Sequence, residues 1–271
     1  MRNVNGRLAG PATILFFLIY PAIVSRAQTQ APAAPSTSKP VVVELFTSEG
    51  CSTCPPADAL LQRMEKQPLP GVEIITLEEH VDYWNQQGWI DPYSSVEWTT
   101  RQREYEAKAG SNDPYTPEMV VDGESRFTGS NGREAQMAIE KAVAEPKTSV
   151  SITPAPSDSK NSESFQVSVG KLVGSASGND AEVWLAITED GLHSSVTAGE
   201  NAGHALTHAA VLRSLHKIGV AAANKESDSF AGVPKVKLNS SWKRENLRVI
   251  VFVQDKKSLK ILGAASAKIT S

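Results

Sequence analysis

The sequence is poor in cysteine, with two in 271 residues, and it repeats neither a C-x-x-C nor an H-x₃-H pair near them. One short loop cannot staple a chain of this length, so a disulfide scaffold is excluded. Structural zinc on the cysteines is disfavoured, because four ligands are needed. Basic runs are equally scarce: none is longer than Lys256-Lys257, and the formal net charge is −3. Nucleic acid is therefore not an expected partner. Apolar runs are short, and the longest, near the N-terminus, is flanked by Pro11 and Pro21. It falls short of the roughly 20 residues a spanning helix needs. No cysteine follows that run directly, which disfavours a lipid anchor, and no internal repeat is present.

What the N-terminus does contain reads as an export signal. Arg2 and Arg7 open it, Thr13 to Tyr20 form the apolar core, and Ser25-Arg26-Ala27 offers small residues at the cleavage positions. Cleavage after Ala27 would remove three arginines and take the net charge from −3 to −6. Residues 28–39, rich in Ala, Pro, Ser and Thr, read as a flexible tether. Beyond it the composition changes near Pro146, so a domain over 40–145 and a second over 146–271 are expected. The product would be periplasmic or secreted, where a disulfide persists.

Val41 to Phe46 is apolar at nearly every position, as in a central strand covered on both faces. Pro55 and Pro56 then favour a helix start, and Pro68 ends that helix near Gln67. Val72 to Leu77 gives a second strand, making a right-handed parallel unit. Residues 80–116 read as a helical insert, with a polar helix over 96–109. A hairpin turning at Asp122-Gly123 follows, then a helix over 133–144. The second half shows short alternating runs beginning at Ser149, Phe165, Glu182, Lys235, Leu247 and Ser258, which predict an antiparallel sandwich. His204 to Val220 suits helix and strand alike. The expected fold is thus an α/β N-terminal domain with a helical insert, which the C-x-x-C between its first strand and first helix makes thioredoxin-like, followed by an antiparallel β-sandwich-like domain.

Cys51 and Cys54 stand where the first strand runs into the first helix. A C-x-x-C there has its first thiol activated by the helix N-terminus and its second one turn on. Cys51 is therefore the expected nucleophile and Cys54 the resolving thiol. Glu44, on the buried strand, is a candidate proton acceptor for Cys54, with a salt bridge to Arg63 or Arg133 as the alternative. Glu49 reads as a solvated charge that could tune Cys51. Pro117 is expected to be cis and to leave a backbone edge for a substrate peptide.

Other uses of these residues stay open. The pair could be a structural bridge, although so short a loop stabilises little. Cys51 and Cys54 with His80 would suit Cu(I), as in a copper-delivery protein. His204 and His208 have metal-pair spacing, but no third ligand is evident and no metal site is assigned. His193 and His216 read as surface or packing residues. The aromatic residues Tyr83, Trp84, Trp89 and Tyr93 read as core of the insert rather than a ligand cage.

The run from Glu44 to Asp58, the segments His80-Val81-Asp82-Tyr83-Trp84, Gly88-Trp89 and Asp91-Pro92, and Tyr115-Thr116-Pro117 together resemble an exported bacterial family, domain of unknown function 1223. The resemblance implies a thioredoxin-like N-terminal half. In the second half, Glu189-Asp190-Gly191, Gly199-Glu200-Asn201 and Leu212-Arg213 are similar to the β domain of secreted Omp28-like proteins. The family supplies no reaction. The expected activity is thiol-disulfide exchange with protein thiols and disulfides, including a membrane or periplasmic redox partner, and with no cofactor beyond the redox-active disulfide. Cu(I) delivery and a binding module with a vestigial dithiol are the alternatives.

Overall fold

From Val41 to Thr47 every residue of the first strand, β1 (Lys39–Thr47), is buried, as expected of a run that is apolar at nearly every position. The computed structural model describes residues 1–3, 38–67, 69–157, 159, 161–174 and 179–269. Apart from residues 1–3 these belong to one compact unit, Pro35–Ser271. The expected signal peptide and tether lie outside the described residues, except at their outer ends.

Helix α1 (Pro55–Lys66) carries Pro55 and Pro56 in its first turn, where a missing N–H costs nothing. Strand β2 (Val72–His80) runs parallel to β1, with Val43 opposite Thr76. A short 3₁₀ turn, Asn85–Gln87, leads to α2 (Val96–Lys108). The hydroxyl of Ser95 caps α2 by accepting from the Glu97 N–H at 3.1 Å. Strands β3 (Glu118–Val121) and β4 (Ser125–Thr128) form the expected hairpin. Asp122 and Gly123 both have positive φ, +47° and +69°, the type I′ geometry that matches strand twist. Helix α3 (Gly132–Ala144) buries Ala135, Ala138, Ile139 and Ala142. Val41, Val43 and Leu45 of β1 meet α1 and α3 on one face. Trp98 and Tyr105 of α2 pack among side chains of the other.

The second half is almost all strand: β5 (Val150–Ala155), β6 (Ser162–Val169), β7 (Ala181–Glu189), β8 (Leu192–Ser195), β9 (Ala205–His208), β10 (Val211–Ala221), β11 (Phe230–Gly232), β12 (Lys235–Lys237), β13 (Leu247–Asp255) and β14 (Ile261–Lys268). The ambiguous segment His204 to Val220 is therefore two strands. Phe165, Val167 and Val169 of β6 pack on Val183, Leu185, Val249 and Val251 of β7 and β13, giving the expected two layers. Each such side chain, fully buried, contributes about 1.5–3 kcal/mol.

The division near residue 146 needs correction. One eight-stranded sheet runs β14-β13-β7-β10-β2-β1-β3-β4, so strands from both sides of that boundary share one hydrogen-bonded layer. The join is narrow: Val211 of β10 pairs with Glu78 of β2, and the Glu78 N–H donates to the Ala210 carbonyl at 2.9 Å. Composition changes at Pro146, but the sheet does not stop there. Among the described residues no helix is long and apolar enough to cross a membrane.

Candidate functional site

Cys51 and Cys54 form a disulfide, with Cα atoms 5.4 Å apart and Cys54 at the N-cap of α1. Both are fully buried, whereas Ser52 and Thr53 between them are exposed. Thr116-Pro117 is cis, as expected. A Cβ built on Gly129 would lie 3.2 Å from both Ala57 and Pro117, which places the proline against the first turn of α1. Trp84 links the two features: its Cβ lies over Gly50, and its indole N–H donates to Thr116 Oγ1 at 2.8 Å.

The second half of the chain is hydrogen-bonded to the C-x-x-C loop. Asn201 Nδ2 donates to the carbonyl oxygens of Glu49 (2.8 Å) and Cys51 (3.0 Å). Glu200 Oε2 accepts from the Ser52 N–H (3.0 Å) and from its hydroxyl (2.7 Å). Gly199, at φ +73°, lets this turn pass close to Trp89.

Glu44 does not serve the dithiol. Its Oε1 accepts from Arg101 Nε at 2.5 Å and its Oε2 from the Tyr105 hydroxyl at 2.5 Å. In β1 its neighbours Val43 and Leu45 take the α1 face, so by strand alternation Glu44 points away from it. The salt-bridge alternative is what forms, with Arg101 in place of Arg63 or Arg133. The acidic group on the α1 side is Asp58, one turn after Cys54, 5% exposed and accepting from Thr47 Oγ1 at 2.7 Å. Burial, reinforced by the Glu78 charge, pushes its pKa up to about 7 against the opposing pull of His208, Thr47 and His80. Its spacing of four from Cys54 was the available signal.

Beside the disulfide lies a buried set of two histidines and three carboxylates. His80 Nδ1 is 2.7 Å from Asp91 Oδ2, and Asp91 also accepts from the N–H groups of Glu49 and Tyr93. His208 Nδ1 is 2.7 Å from Glu78 Oε1, and its Nε2 is 3.1 Å from Glu49 Oε1. Glu49 is thus 1% exposed rather than solvated, and its other oxygen accepts from Trp89 Nε1 at 2.7 Å. Burial opposes charge on both histidines, but their carboxylate partners outweigh it. His208 rises to about 9, while His80 rises well above the ordinary imidazole value. For Glu78 and Asp91 burial is likewise outweighed, and their pKa values fall.

These contacts redistribute the candidate residues. His80 faces Glu78 and Asp91, 3.5 and 2.7 Å from its two ring nitrogens. His208 is buried while His204 is exposed, and the proposed pair does not form. His193 and His216 are exposed. The aromatic residues are half-buried and border the site: Tyr93 lies edge-on to His80 and His208, with ring centroids 5.4 and 5.6 Å apart. Sequence reasoning missed Glu78, which shares a strand face with His80 through alternation.

Fold and site together define a mixed α/β protein that buries a C-x-x-C disulfide against a histidine–carboxylate cluster. A family model, "Protein of unknown function (DUF1223)", matches residues 42–254, and the chain belongs to that family. No curated protein matches the sequence. Among solved structures, a protein of Agrobacterium tumefaciens is similar at 23% identity and TM-score 0.62, covering 86% of this chain and 96% of its own. HBP35 of Porphyromonas gingivalis is similar at 14% identity and TM-score 0.63, over 87% of this chain and 77% of its own. Both likenesses concern the fold alone. A domain of the outer membrane lipoprotein Omp28 from the same bacterium reaches a TM-score of 0.30, over 46% of this chain and 89% of its own at 14% identity, too low to carry the expected likeness of the second half.

Proposed function

We propose that the protein is an exported thiol-disulfide oxidoreductase, periplasmic or secreted, built on a thioredoxin-like module. The observation that carries this reading is the Cys51–Cys54 disulfide at the start of α1 with Thr116-Pro117 beside it. The strand order β2-β1-β3-β4, with α1 and α3 on one face, supports the module.

In the oxidised form, a substrate thiolate attacks Cys51 Sγ, the Cys51–Cys54 bond breaks, and Cys54 leaves as a thiolate. Asp58, one turn along α1, is the group placed to exchange a proton with it. A second substrate thiolate then attacks the substrate sulfur of the mixed disulfide and releases Cys51. The substrate gains a disulfide and the protein a dithiol; the reverse steps reduce a substrate. Because both cysteines are buried, either direction requires their surroundings to open, and the Glu200-Asn201 segment bonded to the loop is the part we propose moves.

The test is exchange with a reduced or oxidised protein substrate such as insulin. Cys51→Ser should abolish turnover, and Cys54→Ser should accumulate mixed disulfides through Cys51, detectable by mass. Turnover in both variants equal to wild type would refute the proposal.

A further inference from the structure

We propose that Glu78, His80 and His208 form a site for one divalent transition-metal ion of the zinc class, separate from the cysteines. One ligand atom from each lies within 4.8 Å of the others, and all three side chains are buried. Glu78 Oε1 is central, 2.7 Å from His208 Nδ1 and 3.5 Å from His80 Nε2. Metal–ligand bonds of about 2.0–2.2 Å place neighbouring ligand atoms about 3.0–3.5 Å apart, so these edges are close to those of a filled site. Two imidazoles and one carboxylate suit zinc and its neighbours, not calcium or magnesium.

The orientation of each ligand points the same way. Behind His80 stands Asp91, which takes Nδ1 and leaves Nε2 facing Glu78. Behind His208 stands Glu49, which takes Nε2 and leaves Nδ1 facing Glu78. Glu78 is itself fixed by the Ala209 N–H, which donates to its other oxygen at 2.9 Å. A carboxylate behind each ligating histidine is the arrangement that sets ring tautomer and raises ligand basicity in metal sites. The independent observation is His80 Nε2, which is fully buried, aimed into the cluster and without a hydrogen-bond partner, its nearest acidic group being Glu78 Oε1 at 3.5 Å. A buried polar nitrogen is ordinarily hydrogen-bonded, and an ion held between Glu78 and the two imidazoles would satisfy this one.

The experiment uses purified protein in a Cys51→Ser/Cys54→Ser background, stripped with a chelator. Zn²⁺ is titrated against a chromophoric competitor, and Co²⁺ binding is followed by visible absorption. One ion per chain is expected, with cobalt bands displaced by zinc. His80→Gln and His208→Gln should each weaken binding at least a hundredfold, and Asp91→Asn by 10–100-fold. Circular dichroism and melting curves establish which variants are folded; where a histidine variant is not, Asp91→Asn decides. Absence of stoichiometric binding by the folded protein overturns the proposal, as does unchanged affinity in the folded variants. Binding present in wild type but lost with the cysteines also overturns it, by moving the ion to the thiolates. None of these readouts depends on thiol exchange.

Discussion

Asn201 donates a 3.0 Å hydrogen bond to the carbonyl oxygen of Cys51, a residue 150 positions earlier in the chain. With its second bond to Glu49, and with Glu200 on Ser52, it ties the 199–201 turn to the backbone of the C-x-x-C loop. The two bonds of Asn201 contribute about 1 kcal/mol each. Asn201→Ala should therefore speed reduction of the disulfide by dithiothreitol tenfold or more, as about 1.4 kcal/mol corresponds to a factor of ten. Timed alkylation and mass spectrometry would measure this, and an unchanged rate would show that the segment does not control access.

Asp58 makes stability depend on pH with a definite sign. Its folded pKa is about 7 against an ordinary 3.8, so between these values the folded state keeps a proton that the unfolded chain has released. Its contribution is thus lost as pH rises from about 4 to 7. The groups acting on it are Glu78 and His80 of β2, His208 of β9 and the Thr47 hydroxyl of β1. Asp58→Asn, which resembles the protonated form, should match wild type near pH 4, gain on it up to about pH 7 and level off above that. Urea midpoints of oxidised, chelator-treated protein at three pH values would show the trend, and parallel curves would contradict it.

Arg101 is 6% exposed and holds the Glu44 carboxylate together with Tyr105, while Gln254 of β13 bonds to both Arg101 and Tyr105. Removing the guanidinium leaves a buried carboxylate unpaired. Arg101→Met should cost about 3–5 kcal/mol of unfolding free energy. The double variant Arg101→Met/Glu44→Gln should recover part of that loss, because it removes the stranded charge as well. A double-mutant cycle in urea measures both terms.

Two glycines separate backbone strain from collision. Gly71 and Gly123 have φ of +73° and +69°, but a Cβ on Gly71 would meet nothing within 4 Å, whereas one on Gly123 would run into the Leu259 carbonyl. Gly71→Ala should cost about 1–2 kcal/mol, the penalty of the left-handed region alone. Gly123→Ala should cost clearly more, since the β3–β4 turn must also move away from the loop before β14. Thermal melts of the two variants would give the difference.

Much of the first half was legible because its signals are local. Pro55 and Pro56 mark a helix start, Asp122-Gly123 a hairpin turn, and a run apolar at nearly every position a strand covered on both faces. These depend on residues a few positions apart, and the structure reproduces them. Glu44 shows the limit: its burial followed from the strand, but its partner came from α2, where the sequence displays only a polar helix.

The sequence by itself determined that a C-x-x-C opens a helix after a buried strand, and that the second half is made of short strands. Only the tertiary structure decided that β10 joins β2, and with it everything that surrounds the disulfide. That join brings Asn201 over Cys51 and His208 onto Glu78, across more than a hundred residues of chain. Periodicity sets which face a side chain takes, but strand neighbours across the chain are chosen by the packing of whole layers, which no local pattern encodes.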